Sequence, residues 1–200
     1  MRIFGLTGGT GSGKSEAARR FVEHGFAVID ADAVGHEAIA PGGAAEPEVL
    51  RAFGESIVTD GAIDRAKLGA LVFGDPEARR RLNAIVLPAI GMAIAMRCAA
   101  LAEAGQEITI IDAALIAENG RKEEYLNGLV LVTCPIEERV RRLVTYRGIA
   151  EEEARRRIAA QTPPENKLAL ADWVIENTSS KEALRARVDT VAREMKGDVD

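Results

Sequence analysis

Gly8-Gly9-Thr10-Gly11-Ser12-Gly13-Lys14-Ser15 is the stretch on which the fold turns. Gly8 and Gly13, with four residues between them and Lys-Ser after, have the spacing of a phosphate-binding P-loop. The glycines let the backbone curl so that successive N–H groups converge on phosphate oxygens. A helix that follows adds its positive end to the same place. Lys14 is then a point charge for the β- and γ-phosphates of ATP, and the Ser15 hydroxyl a ligand for Mg²⁺. Gly8, Gly9, Thr10, Gly11, Ser12, Gly13, Lys14, Ser15 and Glu16 form the candidate ATP-binding set, joined from far along the chain by Asn177. The alternative is a plain glycine turn with a solvated lysine, and context decides against it. Arg2 to Leu6 reads as a short apolar strand, and Glu16 to His24 as a helix with Ala17, Ala18, Phe21 and Val22 at helical spacing.

Working outward, 200 residues suffice for one well-buried domain. Apolar content of 47% and charged content of 28% are ordinary for a globular chain. A net charge of −5 argues against a nucleic-acid or anionic-membrane partner. No apolar run reads as approaching a membrane span, and the N-terminus enters a strand directly, so the expectation is a cytoplasmic protein. Cys98 and Cys134 are far apart and read as buried reduced thiols. With only His24 and His36 present, a zinc site is not expected.

Five strand-like runs alternate with helical patterns: Ile3–Leu6, Ala27–Asp30, Ile108–Asp112, Leu129–Thr133 and Trp173–Glu176. That alternation predicts a three-layer α/β fold around a five-stranded parallel sheet. The interval between the second and third strands is far longer than one crossover needs. Pro41-Gly42-Gly43 breaks it, Glu48–Phe53 and Ala66–Phe73 read as helices, and Asp60-Gly61 marks a turn. Asp75-Pro76 starts a further helix, interrupted at Pro88. Residues 33–95 therefore read as a helical substrate lobe inserted into one domain spanning 1–200, with packing helices that bind nothing as the alternative. Region 137–166 carries Arg139, Arg141, Arg142, Arg147, Arg155, Arg156 and Arg157. It reads as a cationic lid or, with Glu137, Glu138 and Glu151–Glu153 at helical spacing, as a solvated charged face.

Phosphoryl transfer needs metal support, an acceptor, a group to deprotonate it, and positive charge at the transition state. Asp112 ends an apolar strand, where a carboxylate suits Mg²⁺, partly through water. Asp30 and Asp32 follow the second strand, and Asp32 is the candidate base, with a helix N-cap as its alternative role. Asp30 reads as the more structural of the two.

The run Leu6–Ser15 followed by Val28-Ile29-Asp30-Ala31-Asp32 resembles the dephospho-CoA kinase family. The resemblance continues through Phe53-Gly54, Asp60-Gly61-x-Ile63-Asp64-Arg65, Leu82-Asn83, Pro88, Leu115-Ile116, Glu118, Gln161, Lys167, Ala171-Asp172-x-Val174-Ile175 and Asn177. It implies ATP-dependent phosphorylation of the ribose 3′-hydroxyl of dephospho-CoA, and a core, a CoA lobe and a lid. It implies Asp32 as the catalytic base; Lys14 and, from the lid, Arg147 with Arg142 as the competing candidate are the catalytic cations expected. Asp32, His36, Leu87, Leu115 and Glu118 are the acceptor-binding candidates. The chain departs from the family pattern at His36, usually Arg, and at Leu87, usually His. Ala114-Leu115-Ile116-Ala117-Glu118 stands for Pro-Leu-Leu-Phe-Glu. Tyr146-Arg147-Gly148 stands for Arg-Asp-Gly, which displaces the lid arginine by one residue. A kinase on the same scaffold with a different hydroxyl acceptor is the second reading, and a nucleotide-dependent switch the third. A monomer is the favoured oligomeric state.

Overall fold

The computed structural model describes residues 1–114, 116 and 122–197 of the chain. These form two compact units, Met1–Ile29 with Leu101–Asp200, and Asp30–Ala100.

The first unit is built on a parallel sheet. Its strands are β1 (Arg2–Gly8), β2 (Ala27–Asp30), β5 (Ile108–Asp112), β6 (Gly128–Thr133) and β7 (Trp173–Glu176), in the order β2-β5-β1-β6-β7. The hairpin strands β3 (Val58–Thr59) and β4 (Ala62–Ile63) belong to the second unit. The register sets Leu6 opposite Asp112 and Gly8 opposite Val132, so the P-loop strand lies between its two neighbours at this edge. Every residue of β5 is buried, as expected of a strand covered on both faces. On one face Phe4, Leu6, Ile110, Val130, Val132 and Ile175 form a single cluster with two helices. α1 (Lys14–Glu23) contributes Ala17, Ala18 and Phe21; α9 (Lys181–Lys196) contributes Leu184, Val188, Val191, Ala192 and Met195. The four larger of those α9 side chains recur at i, i+4, i+7 and i+11, an amphipathic stripe that the strand-by-strand reading left out.

Three further helices complete this unit among the described residues: α6 (Ile136–Arg147), α7 (Glu151–Ala159) and the short α8 (Glu165–Leu168). α6 and α7 share a small apolar core of Val140, Leu143, Ala154 and Ile158, with Ile149 against it.

The second unit is helical. It holds α2 (Ala31–Ala38), α3 (Glu46–Phe53), α4 (Arg65–Gly74) and most of α5 (Pro76–Glu103). Aspartates start three of these helices. Asp30 accepts from the Asp32 and Ala33 N–H groups, Asp64 from Ala66 and Lys67, and Asp75 from Glu77 and Ala78. Their packing centre is Val49, Ile57 and Leu68, with Ile85, Val86, Ala89 and Ile90 against it. Two expectations about α5 are corrected. The helix runs unbroken through Pro88, because apolar residues on both sides of the proline pack into one cluster and offset the missing hydrogen bond. It also contains an 18-residue stretch that is long and apolar enough, by length and composition, to cross a membrane. Length and composition alone do not make a span.

Candidate active site

The loop Gly9–Gly13 leaves β1 at the C-terminal edge of the sheet and enters α1 directly. Gly13 occupies the cap position at φ 101°, a left-handed conformation that a side chain resists, and a Cβ there would overlap the Asn177 amide. A Cβ at Gly9 would overlap the Arg139 guanidinium. Gly13 is required by its backbone conformation, and both glycines lie against side chains that hold the loop.

Four side chains from outside the motif hold it. Asn177, 3% exposed, donates from Nδ2 to the Ser12 carbonyl at 2.8 Å. Arg139, 4% exposed, donates from Nε to the Thr10 carbonyl at 2.8 Å and from Nη2 to Gln161 Oε1 at 2.7 Å. Gln161 Oε1 accepts in turn from the Thr10 N–H at 2.8 Å. Arg142 reaches the Ser12 carbonyl at 3.4 Å and Asn177 Oδ1 at 3.3 Å. Ser12 Oγ is buried and has no hydrogen-bond partner among the described residues. A buried hydroxyl left with a proton to donate fits a loop shaped for a further acceptor such as a phosphate oxygen.

Lys14 forms an ion pair with Asp112, the last residue of β5. Ser15 is exposed at the start of α1. Ser15 and Asp112 offer oxygen donors only, and no group of three His, Cys, Asp or Glu among the described residues could hold a metal ion. That donor set fits Mg²⁺, which takes few protein ligands and completes its shell with phosphate and water.

Glu16, a member of the candidate nucleotide set, has its side chain held by cations. Its carboxylate is bound by Arg185 Nη1 at 3.0 Å, by Lys181 at 3.3 Å and by Arg19. Burial pushes its pKa up, but these cations outweigh burial and hold it below the ordinary value. Glu16 thus ties α1 to α9. Beside it opens a cleft of ≈ 580 Å³ lined by Gly13, Arg142, Tyr146, Asn177 and Lys181 among others.

The arginine-rich segment divides. Arg139 and Arg142, one helical turn apart on α6, face the loop. Arg141 pairs with Glu138, Arg155 with Glu137 and Glu151, and Arg156 and Arg157 with Glu153. For those four the charged-face alternative describes the contacts. Bonds from Arg141, opposed by burial and assisted by Arg142, lower the Glu138 pKa to about 2. Arg147 is exposed at the last position of α6, and Gly148 ends the helix at φ 63°. Arg139 was named in the sequence only as one of seven arginines; its position three residues before Arg142 was the available signal.

In the second unit, Asp30 and not Asp32 is the N-cap of α2, which removes the structural alternative for Asp32. The Asp32 carboxylate is exposed in the first helical turn. His36 Nε2 is hydrogen-bonded to the Arg65 guanidinium. Leu87 is 53% exposed. Leu115 and Glu118 lie outside the described residues.

Known proteins resemble this chain in sequence and fold. The family model for dephospho-CoA kinase matches residues 2–182. The chain is 42% identical to the dephospho-CoA kinase of Thermobifida fusca over 98% of this chain and 96% of that one. It is 44% identical to that of Streptomyces avermitilis over 96% of this chain and 92% of that one. A crystal structure from Thermus thermophilus superposes with a TM-score of 0.83 at 36% identity, covering 97% of each chain. With its P-loop formed and its match running nearly end to end, the chain belongs to the dephospho-CoA kinase family.

Proposed function

We propose that the chain transfers the γ-phosphoryl group of ATP to the ribose 3′-hydroxyl of dephospho-CoA, giving coenzyme A and ADP. The observation that carries this is the P-loop with Lys14 paired to Asp112, in a chain whose family match is nearly complete. The loop N–H groups and Lys14 bind the β- and γ-phosphates and hold them in line with the acceptor. Asp32 accepts the proton of the 3′-hydroxyl as that oxygen bonds to the γ-phosphorus and the bond to the β–γ bridging oxygen breaks. Mg²⁺, held by Ser15 and Asp112 partly through water, supplies charge neutralisation on the phosphates when bound. Arg142, which reaches the Ser12 carbonyl, is the first proposed cation for charge building on the transferring group. Arg147, at the very end of α6, is the second. His36 and Leu87, with Leu115 and Glu118, are the proposed acceptor contacts.

Asp32→Asn tests the base. Its kcat should fall on the order of 10²–10⁴-fold while the ATP KM holds. Thermal stability should also hold, because the cap of α2 is Asp30. Asp30→Ala should do the reverse, losing about 1 kcal/mol of stability. An Asp32→Asn enzyme with near wild-type kcat would remove Asp32 from the mechanism.

A further inference from the structure

Lys167 is a buried cation that the reaction as described does not use. It is the third residue of α8 and 4% exposed. Its Nζ donates to the Ala114 carbonyl at 3.0 Å. The same carbonyl accepts from Thr7 Oγ1 at 3.3 Å, and Thr7 is fully buried immediately before the phosphate loop. One residue earlier, the Ala113 N–H donates to the Leu6 carbonyl at 3.1 Å. One residue before that stands Asp112, the partner of Lys14.

Burying an ammonium costs several kcal/mol unless good partners offset it, and the Ala114 carbonyl is one of the partners that hold Lys167 here. The recess that Lys167 lines with Gly8, Gly9, Arg139 and Gln161 measures ≈ 10 Å³. That is room for one water at most and none for a phosphate. Lys167 touches the end of β5, at the point where the chain leaves the sheet two residues after Asp112.

We propose that Lys167 is a positioning residue: through the Ala114 carbonyl it latches the segment Asp112–Ala114 to the P-loop strand, and so fixes Asp112 against Lys14 and the bound metal. The latch has two donors on one acceptor, one from the P-loop strand (Thr7) and one from α8 (Lys167). α8 follows the α6–α7 pair, so the latch also joins that arginine-rich segment to the metal-side carboxylate. The inference rests on the kinase reading of the site.

Lys167→Met keeps the volume and removes the charge, and its melting temperature is measured beside every readout because removing one member of a buried contact can lower stability. ADP binding by calorimetry should stay within about twofold of wild type in EDTA, because the cradle is untouched, and weaken about tenfold with Mg²⁺ present. The kcat with dephospho-CoA should fall about 10- to 100-fold, with the ATP KM moving far less. Thr7→Val, which removes the other donor, should shift the same readouts in the same direction by a smaller factor. Equal weakening with and without Mg²⁺, a loss that tracks a lowered melting temperature in both variants, or wild-type behaviour of Lys167→Met would each overturn the latch. The binding arms need no acceptor. Failure of wild-type turnover would therefore sink the acceptor assignment while the ADP data still decide the latch.

Discussion

Around Gly9–Gly13 the backbone is held by residues from distant parts of the chain, whereas the departures from the family pattern in Asp30–Ala100 stand on exposed surface. Thr10 is bonded by both Arg139 and Gln161, and Ser12 by both Asn177 and Arg142. Leu87 projects 53% exposed, and the described bond of His36 is to one neighbouring guanidinium. The difference teaches where sequence can drift. A cradle that must present several N–H groups to one phosphate tolerates no shift, since small misplacements cost large factors in rate. An exposed contact can be exchanged with little change in stability. Loss of nucleotide binding should therefore follow from small changes in the first region, and little from large changes in the second.

Gly13→Ala should have the largest effect. It places a side chain at φ 101° and against Asn177. Misplacing the loop should raise the ATP KM by about 10²-fold. An ATP KM within threefold of wild type would mean that the cradle is softer than its contacts imply.

Asp189 comes next and tests whether the sheet core beneath the loop depends on its ion pairs. It accepts from Arg20 at 2.5 and 2.8 Å and lies 2.7 Å from His24 Nε2. The Arg20 bonds, opposed by burial and helped by His24, lower its pKa from 3.8 to about 2. A lowered carboxylate pKa means stability that is present above pH 3.8 and lost as pH falls through about 2. Asp189→Asn should cost ~1 kcal/mol at pH 7, discounted for partial exposure. The gap between variant and wild type in denaturant melts should close as pH falls from 4 towards 2. A gap that stays constant with pH would assign the loss to packing.

His36→Arg should have the smallest effect. Arg65 already brings a guanidinium to position 36. Restoring the usual family residue should change kcat/KM for dephospho-CoA by less than about threefold. A gain above tenfold would instead show that this exposed position limits acceptor binding.

The regions also differ in how far the sequence disclosed them. The P-loop was legible because its chemistry is local: spacing, glycines and the helix that follows lie within one short run. The strands were legible because both faces of the sheet are covered, which makes β5 and β6 near-continuous apolar runs. Arg139, Gln161 and Asn177 meet at the loop from three separate elements, and no periodicity states that meeting. Asp30 and Asp32 could not be separated by type, since either carboxylate can cap a helix; only the backbone bonds to Asp30 decide it. Pro88 read as a break because propensity was weighed without the cluster that holds α5 on both sides.

The most direct test of the central claim is a coupled ADP-release assay on the purified chain with Mg²⁺-ATP, run with and without dephospho-CoA. The expected result is ADP release that requires dephospho-CoA, with stoichiometric formation of coenzyme A. ADP release that ignores the acceptor, or no release with dephospho-CoA while ATP binds normally, would contradict it.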